Sequence, residues 1–482
     1  MFDQIKRLAK HSAIYGAGGV VSRILAVLLL PLYTRYLNPA DYGAIETLLA
    51  LSVVLVIVLR LGIQNAFFRF YFDSPDPAYR LRVVRTSFWF TMGMATLGLL
   101  AGLLLAGPIS TGLFGNSSHA DLVRASFVGL WAQMNYEQLT ALFRVEERSV
   151  AFVIASLVNL LVTVAVTIML VVVFDQGALG VIVGNFVGTL VVWGALLAYR
   201  TEQLGLEFDR PLLRAMNRFG LPLVPSALGL WITNFSDRFF LVKLSGVHDT
   251  GLYSIGVRVA AALALLLTAF RTAFPAFAYS IQDDGVARRT YGFVLTYLTF
   301  ICAWLALALG ALSPWIVRLL TTHQYQPGER VVAPLAFGLT FFAGYIVMVV
   351  SVGRARRTQF NWVVTGAAAA VNIGLNLLLI PPFGIMGAAI ATLAAYATMF
   401  AGMAWRAQLI FPIDAQWRRL ATAVGAAAAL TAVVRGLDIP LPGAILLVAA
   451  YPLVLLGLGF YLPVERARLL AAGRRLYLTG RT

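Results

Sequence analysis

The sequence predicts an all-α polytopic membrane protein of about fourteen transmembrane helices, read as two six-helix lobes plus two C-terminal helices. Three observations predict it. The 482 residues are 60% hydrophobic and only 12% charged, too apolar for a water-facing surface to cover. Apolar runs near the roughly 20 residues that cross a bilayer recur along the whole chain. The basic residues alternate between the breaks that separate those runs.

Taken in order, the runs fall near residues 12–34, 42–68, 86–107, 122–143, 150–173 and 177–199. The first follows a short basic segment (Lys6, Arg7, Lys10), but Ile14 to Leu32 lacks a small-residue cleavage site, so it reads as a retained helix. A polar linker from Arg200 to Arg218 comes next. Six further runs lie near 219–242, 250–272, 290–312, 331–352, 359–380 and 384–405, and two more near 418–435 and 442–462. With both termini placed in the cytoplasm, the cytoplasmic breaks and tails hold twenty-five Lys and Arg and the opposite breaks six. The positive-inside rule thus favours an even number of spans.

An internal repeat runs through this pattern. Asp41-Tyr42-Gly43 aligns with Asp249-Thr250-Gly251, and Arg148 with Phe152 aligns with Arg356 and Phe360, both at an offset of 208; Gly177 and Gly180 match Gly384 and Gly387 at 207. Two parallel halves are expected: residues 1–208 as an N-terminal lobe, 209–408 as a C-terminal lobe, and 409–482 as two additional helices with a basic tail. In transporters such repeats often place the substrate path between halves.

Six arginines (Arg23, Arg60, Arg69, Arg238, Arg258, Arg271) fall within or at the ends of spans, against Glu46, Glu137 and Asp237. A charge at the bilayer centre costs about 2.5–3.5 kcal/mol on insertion scales, so each is expected to face a cavity or a partner. An interior with excess positive charge suits an anion, because guanidinium forks bind phosphate oxygens bidentately. Arg258, one turn beyond Ser254, is the leading substrate-contact candidate. Arg23, on a small-residue face with Gly16 and Gly19, either faces a cavity or pairs with Glu46. Arg60, Arg238, Arg271 and Asn234 complete the substrate-binding candidates, with snorkelling to headgroups the structural alternative for Arg60, Arg69 and Arg271. Glu46, Asp237 and Glu137 are candidates for ion coupling or charge pairing. Asp237 and its neighbour Arg238 point about 100° apart on an ideal helix and are not expected to form a close pair. Pro222 and Pro225 should kink or break the seventh span, as a hinge or a static bend.

Other chemistry is not encoded. The three lysines (Lys6, Lys10, Lys243) sit in no phosphate-binding Gly-rich loop, and the four histidines (His11, His119, His248, His323) with one cysteine, Cys302, form no metal-ligand spacing. No catalytic residue, metal or cofactor is expected.

The segment Arg218 to Arg238, with Pro222, Pro225, Asn234 and Asp237, followed by Gly251-Leu252-Tyr253-Ser254, resembles the seventh and eighth helices of the Wzx-type oligosaccharide flippases. Pro31 to Leu37 and Asp41-Tyr42-Gly43 are similar to that family's first loop, and Tyr325 to Pro334 to the loop before its tenth helix. The family shares a superfamily with lipid II flippases and multidrug antiporters. The resemblance implies two six-helix lobes in a V shape and an alternating-access carrier of an undecaprenyl-pyrophosphate-linked oligosaccharide, working in O-antigen or exopolysaccharide biosynthesis in the bacterial inner membrane. It implies membrane lipids and polysaccharide polymerase or assembly proteins as partners, no nucleic acid, and a monomer. Alternatives are a multidrug antiporter of the same superfamily, which would favour acidic cavity residues; a membrane-integral polymerase, ligase or glycosyltransferase, which would need a large outer loop and catalytic acids; and a non-transporting scaffold.

Overall fold

The computed structural model describes residues 29–355, 357, 361–463 and 465–466. Most of the first expected span with Arg23, the Arg356 and Phe360 pair of the repeat, and the C-terminal tail lie outside these residues. Among the described residues every regular element is a helix.

Helix starts follow local chemistry. Asn38 caps α2 (Pro39–Arg60) by accepting from the Asp41 N–H at 2.9 Å, with Pro39 at the first helical position. A short α1 (Leu30–Tyr36) precedes it. Asp76 caps α4 (Pro77–Leu104) through the Ala78 and Tyr79 amides, and Asp209 caps α9 (Arg210–Gly220) through Leu212. Between these lie α3 (Ile63–Phe70), α5 (Ala106–Phe114), α6 (Ala120–Val145), α7 (Ser149–Ile168) and α8 (Gly177–Tyr199). Then come α10 (Val224–Leu244), α11 (Val247–Ser280), α12 (Asp284–Leu320), α13 (Val332–Arg354), α14 (Asn361–Ile410), α15 (Trp417–Gly436) and α16 (Leu441–Gly457).

Nine helices among the described residues are long and apolar enough to cross a membrane. They hold ten of the expected spans, because α14 carries two, parted at Gly384 (φ 52°). The 17-residue α16 is a shorter apolar helix. The fourth and seventh expected spans are α6 and α10, whose polar residues (Gln133, Asn135, Glu137, Gln138; Asn234, Asp237, Arg238) lower their hydropathy. The chain is thus a multi-pass membrane protein of about fourteen helices.

One boundary differs from expectation. The second span does not run on to residue 68: Leu61 (φ 47°) and Gly62 (φ 76°) both adopt the left-handed region and end α2, a conformation Gly accepts readily and Leu does not. The seventh span is broken at its prolines, the second of the two expected outcomes, close to its start. Pro222 lies in a 3₁₀ turn (Leu221–Leu223) and Pro225 in the first turn of α10, so the helix breaks ahead of them, where a missing N–H leaves no bond unmade.

The chain forms two compact units. The first comprises the described residues up to Ile255, with Leu319–Gly328 and Thr365–Thr392. Its core gathers Ile63, Phe67, Val83, Phe88, Leu139 and Leu142 from α3, α4 and α6. The linker after α8 is stitched down by Arg200, which makes a bidentate pair with Glu146 at 2.6 and 2.7 Å over the Phe143 ring, and by Arg85 on Glu207 at 2.8 Å. The second unit comprises Gly256–Arg318, Glu329–Val364 and the described residues from Leu393 onward. Leu295, Cys302, Ala306, Val347 and Met403 centre its core. The last two helices belong to it: Trp304 donates to the Val448 carbonyl at 2.7 Å, and Tyr451 to that of Ala423 at 2.9 Å.

Candidate functional site

Polar side chains at membrane depth are the candidates for function, since each must find a partner or a cavity. In the first unit they form two clusters.

The first cluster is set by α10. Arg238 and Asp237 are both buried, and the guanidinium lies 3.1 Å from Oδ1 of Asp237, correcting the expectation that helical neighbours cannot pair. The arginine is long enough to fold back, where it also donates to the Asn234 carbonyl at 3.2 Å, while the aspartate curls to accept the Arg238 amide at 2.9 Å. Glu46 of α2, buried, lies 3.7 Å from the Arg238 Nε. The other oxygen of Asp237 accepts the Tyr253 hydroxyl of α11, which in turn lies 3.4 Å from Thr392 of α14. Next to it, Ser236 donates to Asn372 at 3.1 Å, and Asn376 stands 3.1 Å from the same oxygen.

The second cluster joins α2 and α6. Arg60, only 9% exposed, contacts Glu137 at 2.6 Å, Gln64 at 2.8 Å and the Met134 carbonyl at 3.3 Å. Glu137 also accepts from Gln133 one turn earlier. Two cavities flank the pair. One of about 400 Å³, lined by α2, α6 and α8, presents Glu137, Gln133, Ser52 and Asn185 among apolar walls. The other, of about 140 Å³, presents Arg60, Gln64 and Asn65. Val56 and Ile57 line both. The smaller cavity includes Gly62 and Leu223, so the break ending α2 and the break before α10 border the same space. There Gly62 and Gly220 meet backbone to backbone: a Cβ on Gly62 would fall 2.2 Å from the Gly220 carbonyl oxygen.

The three acidic candidates are therefore each in an ion pair: Glu46 and Asp237 with Arg238, Glu137 with Arg60. The described intramembrane charges of these two clusters are two arginines against three acids, so any positive excess resides elsewhere. Asn234 is exposed and donates to the Leu230 carbonyl at 2.6 Å. Arg258 and Arg271 belong to the second unit, on α11, half-buried and exposed respectively. The Ser254 hydroxyl, one turn before Arg258, is buried without a hydrogen bond among the described residues. Arg23 lies outside the described residues.

Tyr253, Thr392, Asn372, Asn376, Gln133 and Gln64 were not singled out from the sequence as site residues. A signal existed for some of them: Asn372 with Asn376 and Gln133 with Glu137 are polar pairs at i, i+4 within apolar runs. Chemically, the arrangement offers two sequestered guanidiniums, each held by carboxylates, with cavity space beside the Arg60 pair.

Comparison with known proteins places these features in a family. The sequence model of a family described as "Polysaccharide biosynthesis protein" matches residues 32–329. The lipid III flippase of Escherichia coli (strain K12) is 37% identical over 112 residues, which is 23% of this chain and 24% of that protein, so the chain spans about a quarter of that relative's length. The succinoglycan biosynthesis transport protein ExoT of Rhizobium meliloti (strain 1021) is 22% identical over 72% of this chain and 69% of its own. Among solved structures, lipid II flippase MurJ in an inward closed conformation aligns with a TM-score of 0.72 at 12% identity, covering 93% of this chain and 99% of that one. An inward-facing multidrug resistance MATE family transporter of the MOP superfamily aligns with 0.67 at 13% identity, covering 82% and 99%. At such identities these two likenesses establish the fold.

Proposed function

This chain belongs to the polysaccharide biosynthesis protein family, and from that premise we propose that it is a flippase moving an undecaprenyl-pyrophosphate-linked oligosaccharide from the cytoplasmic to the outer leaflet of the bacterial inner membrane by alternating access. The names of its relatives, a lipid III flippase and a succinoglycan transport protein, support transport of a lipid-linked sugar and not its chemical modification. The proposal carries with it two lobes at residues 1–208 and 209–408, two helices beyond them, and cytoplasmic termini, a polarity supported by the distribution of Lys and Arg.

The observation that carries the reading is the Arg60–Glu137 pair. A guanidinium held at membrane depth, 2.6 Å from a carboxylate and between two cavities, is a phosphate receptor whose place is filled by an internal anion. A pyrophosphate arriving there competes with Glu137 for Arg60. The exchange keeps both charges compensated, which matters because an uncompensated charge at this depth is costly. Acidic partners on every described buried arginine also leave little to attract a cationic drug without first breaking a pair.

The test is removal of the protein from its host, followed by leaflet-resolved analysis of lipid-linked sugars. A lipid-linked oligosaccharide should accumulate on the cytoplasmic leaflet. Accumulation on the outer leaflet would overturn the proposal in favour of a polymerase or ligase, and unchanged lipid pools would overturn it altogether.

A further inference from the structure

The linker helix α9 divides into four lengthwise sectors at a four-residue register. Arg210, Arg214 and Arg218 form one row, Pro211, Ala215 and Phe219 the next, Leu212, Met216 and Gly220 the third, and the half-buried Leu213 and Asn217 the fourth. At 100° per residue each row covers about 80° of the helix. The third row is the packed one: Met216 and Gly220 are buried and Leu212 half-buried, against α3 and α4. The first two rows are exposed throughout.

A helix displayed only to water would carry polar residues on both sides of its arginines. Here one flanking sector, Pro211, Ala215 and Phe219, is wholly apolar and exposed, while the other holds the half-buried Leu213 and Asn217; the exposure of apolar groups continues at both ends of the helix, from Leu206 (92%) and Phe208 before it to Leu221 and Leu223 after it. None of the three guanidiniums has an ion-pair or hydrogen-bond partner among the described residues, and α9 contains no acidic residue. An exposed apolar row next to an unpartnered cationic row is the pattern of a helix lying in the interface plane, its apolar edge at the acyl boundary and its cations at the headgroup phosphates.

We propose that α9 is a docking surface for anionic phospholipid headgroups, with Arg210, Arg214 and Arg218 as the phosphate contacts. Successive arginines are separated by one turn and the row extends for about 12 Å along the axis. They are therefore spaced to meet several headgroups in a leaflet and do not converge on a single diphosphate. Arginine adds a forked donor set to the attraction that each cation feels for an anionic surface. Because Gly220 at the end of α9 abuts Gly62, occupation of the surface is mechanically continuous with the break beside Arg60.

The experiment is native mass spectrometry of the full chain in detergent, titrated with phosphatidylglycerol or phosphatidylcholine. The unsubstituted chain should retain more phosphatidylglycerol, and the Arg210→Gln/Arg214→Gln/Arg218→Gln variant should lose that excess, with phosphatidylcholine unchanged. The corresponding triple Lys variant should keep most of the preference, and the Arg214→Gln single variant should lose part of it. Equal retention of both lipids by the unsubstituted chain overturns the proposal, as does a triple Gln variant with the unsubstituted chain's preference and melting temperature. If added undecaprenyl diphosphate displaces the retained phosphatidylglycerol, and it is this diphosphate that the triple Gln variant fails to bind, the row belongs to substrate capture and the proposal fails.

Discussion

Gly43 and Gly251, equivalent positions of the 208-residue repeat, cross each other reciprocally. A Cβ on Gly43 would lie 2.0 Å from the Val247 carbonyl oxygen, and one on Gly251 would lie 1.9 Å from that of Pro39. Val247 and Pro39 are themselves 208 apart, so the sequence repeat reappears as a two-fold relation between the first turns of α2 and α11. Tyr325 and Thr322 secure the chain just ahead of that crossing by donating to the Leu37 and Thr34 carbonyls at 2.9 Å each.

Backbone atoms cannot yield as a side-chain end can, so Gly43→Ala and Gly251→Ala must each push α2 and α11 apart. Each should destabilise the chain by about 1–3 kcal/mol, the usual cost of overpacking, seen as an earlier thermal unfolding transition in detergent. By the two-fold relation the two variants should be nearly equal, and a large asymmetry would contradict it.

Arg60→Ala leaves Glu137 without its cation, and Glu137→Gln leaves Arg60 without its anion. Losing one member of a fully buried pair costs about 3–5 kcal/mol; with Glu137 31% exposed each single variant should cost less than that, and removing both should cost less again because no charge is stranded. A double-mutant cycle on unfolding of the full chain should therefore give strong coupling between the two sites. Coupling near zero would mean that the pair is not formed in the folded chain.

Tyr253→Phe removes a buried donor to Asp237, and Asp237→Asn removes the anion shared by Tyr253 and Arg238. The first should cost about 1.5–3 kcal/mol, the range for a hydrogen bond to a charged group. The second should cost more, because the only anion left to Arg238 among the described residues is Glu46, at the longer distance of 3.7 Å. Reversal of that order in thermal unfolding would show that Glu46 is the principal partner.

Arg200→Lys retains the charge but cannot reproduce the fork that grips Glu146 through two oxygens. Loosening of the linker should follow, read as faster proteolysis between residues 200 and 210. A cleavage rate equal to that of the unsubstituted chain would show that the contacts of Arg85, Trp89, Thr86 and the Asp209 cap hold the linker without it.

Arg258→Ala and Arg23→Ala should each abolish surface glycan assembly while leaving membrane levels of the protein intact. The readout is glycan on the cell surface beside an immunoblot of the membrane fraction. Normal glycan in both variants would remove these two arginines from the substrate path.

What the sequence determined by itself is whatever the bilayer imposes one segment at a time. Apolar length and the alternation of basic breaks are one-dimensional quantities, so the class of protein, the approximate span number and the residues that violate hydrophobicity were all legible, including Glu46, Arg60, Glu137, Asp237 and Arg238. Pairing was not legible, because it depends on how far a side chain reaches and which helices meet. Arg238 folding back onto Asp237, Glu137 meeting Arg60 from 77 positions away, and Tyr253 reaching Asp237 from α11 were decided by tertiary packing. So was the end of α2 at Leu61 and Gly62: a mostly apolar run records no backbone torsion, whereas the close approach of Gly220 leaves Gly62 no room for a side chain.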